Sequence, residues 1–227
     1  EACDRDAVAF NKDAAKQGLV PALVDKALKY YQLWIASGEK QANRIDSVDY
    51  DTAGTRILFL GLHKNAVDNF TSFVQVEAAK LAYRDPIQLA ADLFGKALAA
   101  AEGGDDQSNF RPLFVRFKRG QALGLLGQLE EVGREYAGLA QESGALASPP
   151  DGGGPTLNLK ADLQGAKPAQ VVTEGAFALA QLADKDKKAC EQAQAMAAAV
   201  IVALDPGSTK EGSYEWWFAR YIQVLAA

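Results

Sequence analysis

Residues 110–144 read FRPLFVRFKRGQALGLLGQLEEVGREYAGLAQESG, and this stretch decides the fold. In its first half, apolar side chains recur every three or four residues, as one buried face of a helix requires. These apolar residues are Leu113, Phe114, Phe117, Ala122, Leu125 and Leu126. Gly127 and Gln128 interrupt the pattern, and Leu129 begins a second amphipathic helix. Because so short a connection forces the second helix to run back along the first, the stretch predicts an antiparallel helical hairpin.

The small and large residues of this hairpin follow a known spacing. Gly120, Ala122, Gly127, Leu129 and Tyr136 fall at the signature positions of a tetratricopeptide repeat, so the hairpin resembles that family. The resemblance implies that the small residues let the two helices touch. It also implies that the aromatic residue on the second helix fills the gap to the next repeat.

The hairpin departs from the family at two positions, and other stretches resemble parts of the repeat. Val132 stands where the family prefers alanine, and Arg116 occupies the usual tryptophan position. Residues 71–104 are predicted to form a second helix pair. Residues 203–206 resemble the end of a repeat, and the aromatic-rich residues 213–227 predict another first helix, which would leave the last repeat incomplete.

The expected fold class is therefore all-α, and the resemblance implies a right-handed solenoid of antiparallel helix pairs. Residues 1–69 are predicted to be an N-terminal helical region, either a cap or degenerate repeats. Residues 70–227 would hold the repeats, with a glycine- and proline-rich insertion at 145–168.

Residues 20–104 carry three further helix predictions. Apolar periodicity predicts helices over 20–37, 55–84 and 87–101. The second of these is long, so a kink near Gly61 or a break around 69–71 is expected. The preceding stretch, 39–54, is predicted to be irregular.

Composition sets limits on the function. The chain has 227 residues, 48% of them hydrophobic, which is enough for a substantial core and argues against disorder. Its net charge of −5 provides no basic surface for nucleic acid. No apolar run approaches the roughly 18 residues that a membrane span needs, so no nucleic-acid partner and no membrane span are expected.

The two cysteines and the ends of the chain leave several questions open. Cys3 and Cys190 are too few for a disulfide framework or a zinc site, and two free thiols or one bridge are both possible. The chain does not begin with methionine, so it is expected to be a processed or excised product. The incomplete last repeat predicts that the protein continues beyond Ala227. The compartment stays open between the cytoplasm and an exported or periplasmic location.

Residues that could perform chemistry are sparse. His63 is the only histidine, so a Ser/His/Asp or Cys/His site would have to use it, and we expect instead a partly exposed residue on a helix surface. Asp46, Asp49 and Asp51 could offer oxygen ligands to calcium, but their spacing is not that of an EF-hand. We expect them to lie in a solvated loop before a helix cap such as Thr55. No catalytic residue, metal or cofactor is predicted, and the protein is expected not to be an enzyme.

Two groups of residues are candidates for binding a partner. The basic cluster Arg111, Arg116, Lys118 and Arg119 could grip an acidic peptide, as the concave faces of such repeats often do. Trp216 and Trp217 could anchor a partner through large apolar rings, or pack against the helix that follows or precedes them. The predicted partner-binding residues are Arg116, Phe117, Arg119, Gln121, Trp216 and Trp217.

The function expected from these residues is a non-catalytic scaffold that binds a peptide or helix of a partner protein along a groove. The first alternative is a self-assembly module whose copies stack end to end, with the tryptophan-bearing last helix at the contact. The second alternative is a helical accessory region of a larger enzyme.

Overall fold

The structure is a computed structural model that describes residues 20–41, 45–104, 109–148, 153–207 and 212–227. Across these ranges it contains eight α-helices and one pair of two-residue strands. The all-α fold class is thereby confirmed, while the solenoid stays a prediction. The chain divides into two compact units, Glu1–Gly127 and Gln128–Ala227, and each is described by itself.

Unit 1 contains four of the helices. They are α1 (Val20–Glu39), α2 (Ser47–Lys64), α3 (Asp85–Glu102) and α4 (Pro112–Leu125). Each helix packs on the next, with the most extensive contact between α2 and α3. Gly54 makes this close approach possible, because an added Cβ there would lie 2.9 Å from Cε1 of Phe94.

The predicted helix over 55–84 is wrong beyond Lys64, where α2 ends. The chain reverses through a Schellman motif: the N–H of Val67 donates to the Leu62 carbonyl at 2.9 Å, and the N–H of Ala66 donates to the His63 carbonyl at 3.0 Å. Ala66 takes the left-handed conformation with φ of 56°. Glycine is the usual residue at this position, so an alanine there gives no stop signal in the sequence.

The predicted irregular stretch 39–54 is also wrong in its second half, because α2 begins at Ser47 rather than near Thr55. Asp46 is the N-cap: its Oδ1 accepts from the N–H of Asp49 at 2.8 Å, and Asp49 Oδ2 accepts from the N–H of Asp46 at 3.4 Å. The two carboxylates therefore form a reciprocal capping box that satisfies the first turn of the helix.

The predicted helix pair over 71–104 is wrong in its first half. Residues 71–84 contain two short 3₁₀ helices, Phe73–Gln75 and Ala78–Lys80, and no α-helix. The buried ring of Phe73 packs where α4 has Gly124, and the N–H of Phe73 donates to Oε1 of Gln121 at 2.8 Å. These contacts hold the segment against α4, although the segment contains no α-helix.

Unit 2 contains the other four helices and the strands. They are α5 (Leu129–Glu142), β1 (Leu146–Ala147), β2 (Thr156–Leu157), α6 (Pro168–Ala180), α7 (Lys187–Ala203) and α8 (Tyr214–Leu225). The strands lie in the predicted insertion and pair antiparallel, with Leu146 opposite Leu157. Helix α6 contacts α5, α7 and α8, so it is the central helix of this unit.

Glycine also permits the contact between α5 and α6. Tyr136 of α5 is fully buried, and an added Cβ at Gly175 of α6 would lie 2.9 Å from its Cβ and 3.1 Å from Cε of Met196. At Gly133 an added Cβ would lie 2.6 Å from Cδ2 of Leu179. The two helices therefore approach each other at two glycines.

The last helix is joined to α7 by polar contacts at its C-terminal end. The carbonyl of Ala226 accepts from Sγ of Cys190 at 2.8 Å and from the side-chain amide of Gln194. Cys190 has no disulfide partner among the described residues, and Cys3 lies outside them, so both predicted states of this pair stay open. In the ranges that the structure covers, no helix has the length and apolar character needed to cross a membrane.

Candidate functional site

Helix α8 places a row of large apolar side chains in solvent. Ser213 is its N-cap and accepts from the N–H of Trp216 at 3.3 Å. The opposite side of the helix is buried through Ala219 and Ile222. Because α8 has one apolar face directed into unit 2, a second apolar face needs another explanation.

The exposed row, which we name the aromatic stripe, consists of Tyr214, Trp217, Tyr221 and Val224. Their side chains are 57%, 61%, 51% and 75% exposed. The residues are spaced by three, four and three positions, which places them on one side of a helix. Single exposed apolar residues are ordinary, whereas a contiguous exposed row is unusual on a protein surface.

Ring contacts hold the aromatic stripe in place. The ring of Phe218 lies between those of Tyr214 and Tyr221, at centroid distances of 5.6 and 6.0 Å. On its inner side Phe218 contacts Phe177 of α6 at 5.3 Å. The contacts with Phe218 therefore restrict the side-chain freedom of the two tyrosines, so little of that freedom remains to be lost if their rings become buried.

The two predicted tryptophans occupy different environments. Trp217 belongs to the aromatic stripe, whereas Trp216 is half-buried, and the two rings meet edge to face at 4.7 Å. The guanidinium of Arg220 lies 5.0 Å from the ring of Trp216. Nε1 of Trp216 is buried and has no hydrogen-bond partner within the described ranges. The ring of Trp216 therefore packs beneath the surface, and the ring of Trp217 is exposed on it.

The N-terminal end of the aromatic stripe lies near two carboxylates. Partial burial raises the pKa of Tyr214, and the carboxylates of Glu174 and Glu215 raise it further. Glu174 is buried on α6, where its Oε1 accepts from Nε2 of Gln170 at 2.8 Å. Two carboxylates of unit 2 therefore act on the phenol of Tyr214.

The other predicted binding residues lie in unit 1, on α4. Arg116, Phe117 and Arg119 are half-buried, and the ring of Phe117 stacks on that of Phe114 at 6.1 Å. Lys118 forms an ion pair with Asp51 and donates to Oγ1 of Thr55 at 3.0 Å. One member of the predicted basic cluster is therefore engaged within unit 1.

Gln121 differs from its predicted surroundings, because its side chain is 3% exposed and accepts the hydrogen bond from Phe73. Changing Gln121 to alanine would leave the N–H of Phe73 buried without this acceptor. We expect a loss of about 1–3 kcal/mol in the free energy of unfolding. Urea denaturation checks this value, with the exposed Gln141→Ala on α5 as control. Equal stability of the two variants would contradict a structural role for Gln121.

The structure shows the surroundings of His63 and of the acidic residues that were considered for catalysis or metal binding. His63 is partly exposed in the last turn of α2, as expected, although its side chain is only 10% exposed. Its ring meets Phe59 edge to face at 4.2 Å, and its Nδ1 lies 3.7 Å from Asp68. Among the described residues, no group of three or more His, Cys, Asp or Glu side chains could hold a metal ion.

Sequence reasoning selected Trp216 and Trp217 but missed Tyr214, Tyr221 and Val224 as parts of one surface. The signal was present in the spacing of three, four and three residues. It was not used because an apolar row of that spacing is also what a buried helix face shows. Only the packing on α6 and α7 tells which of the two apolar faces of α8 is covered.

Comparisons with known proteins find no relative for this chain: no family model, no curated protein and no solved structure matches it. The class of protein that the fold defines is an all-α protein with two compact units. The resemblance to tetratricopeptide repeats stays a prediction.

Proposed function

We propose that this protein is a non-catalytic interaction module that binds an amphipathic helix of a partner protein through the aromatic stripe of α8. The observation that carries the proposal is the exposure of Tyr214, Trp217, Tyr221 and Val224 on one helix face. Side chains at this spacing are the anchors that helices use when they pack on one another. Tyrosine and tryptophan are also the residues enriched among binding hot spots.

The charge beside the aromatic stripe indicates the chemistry of the partner. The carboxylates of Glu174 and Glu215 lie near enough to Tyr214 to raise its pKa, and the whole chain has a net charge of −5. A partner helix that carries lysine or arginine beside its apolar face would be attracted to this surface and oriented by it. The proposed partner is therefore a basic amphipathic helix.

The test uses a synthetic helical peptide of leucine and lysine and a second peptide in which glutamate replaces every lysine. We expect the lysine peptide to bind and to shift the fluorescence of Trp217 to shorter wavelength, because the peptide buries the exposed ring. The double variant Trp217→Ala/Tyr221→Ala should weaken binding at least tenfold, since the loss of two hot-spot side chains costs more than about 2 kcal/mol.

A matched control comes from α1 of unit 1, where Tyr30 and Leu33 are 63% and 62% exposed. The variant Tyr30→Ala/Leu33→Ala removes a similar exposed apolar area and should leave peptide binding unchanged. Equal binding of both peptides, or equal weakening by both double variants, would contradict the proposal. Sedimentation that shows a dimer lost in Trp217→Ala/Tyr221→Ala would assign the surface to a second copy of this chain instead.

A further inference from the structure

A cavity of about 670 Å³ opens in unit 1 between α1, the end of α2 and the beginning of α3. Its volume lies in the range of sites that hold small organic molecules. Charged, aromatic and aliphatic side chains all line it. The cavity is separate from the aromatic stripe, because every lining residue lies between positions 25 and 89.

Lys64 is the central residue of the cavity. Its side chain is only 11% exposed, and its ammonium forms an ion pair with Asp25. On another side the ammonium lies 4.3 Å from the ring centroid of Tyr83. Lysine is rarely buried to this extent, and an ammonium has three N–H donors. Asp25 is the only ion-pair partner of Lys64 among the residues that the structure describes, so donor capacity remains for a ligand.

The backbone of Tyr83 is fixed in position by the side chain of Asn65. The side-chain amide of Asn65 donates to the carbonyl of Tyr83 at 2.8 Å, and its oxygen accepts from the N–H of Tyr83 at 2.9 Å. The same amide donates to the carbonyl of Gly61 at 2.8 Å. This wall of the cavity is therefore tied to the end of α2 before any ligand arrives, which lowers the entropic cost of binding.

The charged lining carries an excess of one positive charge. Lys29, Lys64 and Arg84 contribute three cations, of which the Arg84 guanidinium donates to the carbonyl of Leu126. Asp25 and Asp85 contribute two carboxylates. The first turn of α3 also lines the cavity, and the N-terminus of a helix adds partial positive charge. One negative charge on a ligand would balance this excess.

The geometry points to a binding site for a small organic acid with a single carboxylate and an apolar body. The carboxylate would take donors from Lys64 and from Lys29 at the rim. The apolar body would lie on the ring of Tyr83 and against Leu28 and Leu89. A neutral or cationic molecule of the same shape would leave the charge excess uncompensated.

The test is a titration of the full chain with phenylacetate, followed by heteronuclear NMR. Its controls are phenylacetamide, which is neutral, and phenethylamine, which is cationic. We expect phenylacetate to bind with a Kd of about 1 mM, as suits so small a ligand. The two controls should bind at least about fivefold more weakly, and shifts should centre on residues 25–32 and 82–89.

Variants on one helix assign the effect to the cavity. Lys29→Gln removes a lining cation, and Lys26→Gln makes the same change at another exposed position of α1 outside the lining. We expect Lys29→Gln to weaken phenylacetate about two- to fivefold, the factor that an exposed charge contact provides. Lys26→Gln should leave the affinity unchanged. Tyr83→Ala should weaken both phenylacetate and phenylacetamide, because it removes the aromatic wall that both phenyl rings would contact.

Three results would overturn the inference. The first is no shift at a ligand concentration about twentyfold above the expected Kd. The second is equal affinity for phenylacetate and phenylacetamide. The third is equal weakening by Lys29→Gln and Lys26→Gln, which would show only a general effect of net charge. Since none of these variants touches the aromatic stripe, failure here leaves the proposed partner binding intact.

Discussion

Replacing Gly124 by alanine is expected to destabilise unit 1 by about 3 kcal/mol, the upper part of the range for inserting atoms into a packed core. Alanine ordinarily stabilises a helix by about 1 kcal/mol relative to glycine, so the sign itself is informative. The cause lies in Phe73: a Cβ at Gly124 would lie 2.6 Å from its Cδ1 and closer still to Cγ and Cδ2. The buried ring of Phe73 must move, because the backbone of α4 cannot.

The matched control for Gly124→Ala is Gly95→Ala on α3. An added Cβ at Gly95 would meet only Nε of Arg119, at 3.8 Å. This substitution should be neutral or stabilising by up to about 1 kcal/mol. Urea denaturation monitored by far-ultraviolet circular dichroism compares the two variants.

A double-mutant cycle tests whether Phe73 is the cause. In the background Phe73→Ala, the ring that obstructs the new methyl group is gone. Gly124→Ala should then cost little, so the two substitutions should be coupled by about 2–3 kcal/mol. Additive effects of the two changes would show that Phe73 does not pack against Gly124.

Tyr136→Ala is expected to destabilise unit 2 by about 3–5 kcal/mol, as the loss of a fully buried aromatic side chain does. Tyr136 is the largest of the fully buried side chains, and it lies where α5 approaches Gly175 and Met196. Gly175 offers no side chain to fill the space that the ring would leave. The free energy of unfolding from urea denaturation checks the prediction.

Tyr221→Ala provides the comparison in the same unit. Tyr221 is half-exposed in the aromatic stripe, so we expect less than about 1 kcal/mol of destabilisation from its removal. The two substitutions should therefore have different effects. Tyr136→Ala should lower the stability of unit 2, and Tyr221→Ala should lower the affinity for the peptide. A large loss of stability in Tyr221→Ala would indicate that α8 uses this face to pack within unit 2.

Helix existence was predictable because periodicity records which face is buried. The predicted helices over 20–37 and 87–101 correspond to α1 and α3, and the start of the last helix at Ser213 was also expected. In these segments the local pattern and the long-range packing agree, so one pattern is enough.

Residues 45–84 were not predictable in the same way. The start of α2 depends on a capping box of two aspartates, Asp46 and Asp49, and its end depends on Ala66 in a position where glycine is usual. The segment after it is held by Phe73 against Gly124, a contact 51 positions apart in sequence. Neither a chain reversal at an alanine nor a contact between such distant residues produces a periodic pattern in the sequence.

The candidate site was predicted in part. Trp217 was selected for its size, whereas Gln121 was selected for its place in a repeat and is buried in a contact with Phe73. The cavity around Lys64 was missed, because its walls come from three separate segments that only folding brings together.

The hydrogen bond from Cys190 to the carbonyl of Ala226 means that the reactivity of this thiol depends on whether α8 is docked. While the last turn of α8 is in place, the thiol is engaged and partly covered. Alkylation requires the thiolate to be released and exposed. The alkylation kinetics of Cys190 would therefore report how often this end of α8 detaches from α7, and a ligand that clamps α8 would slow them.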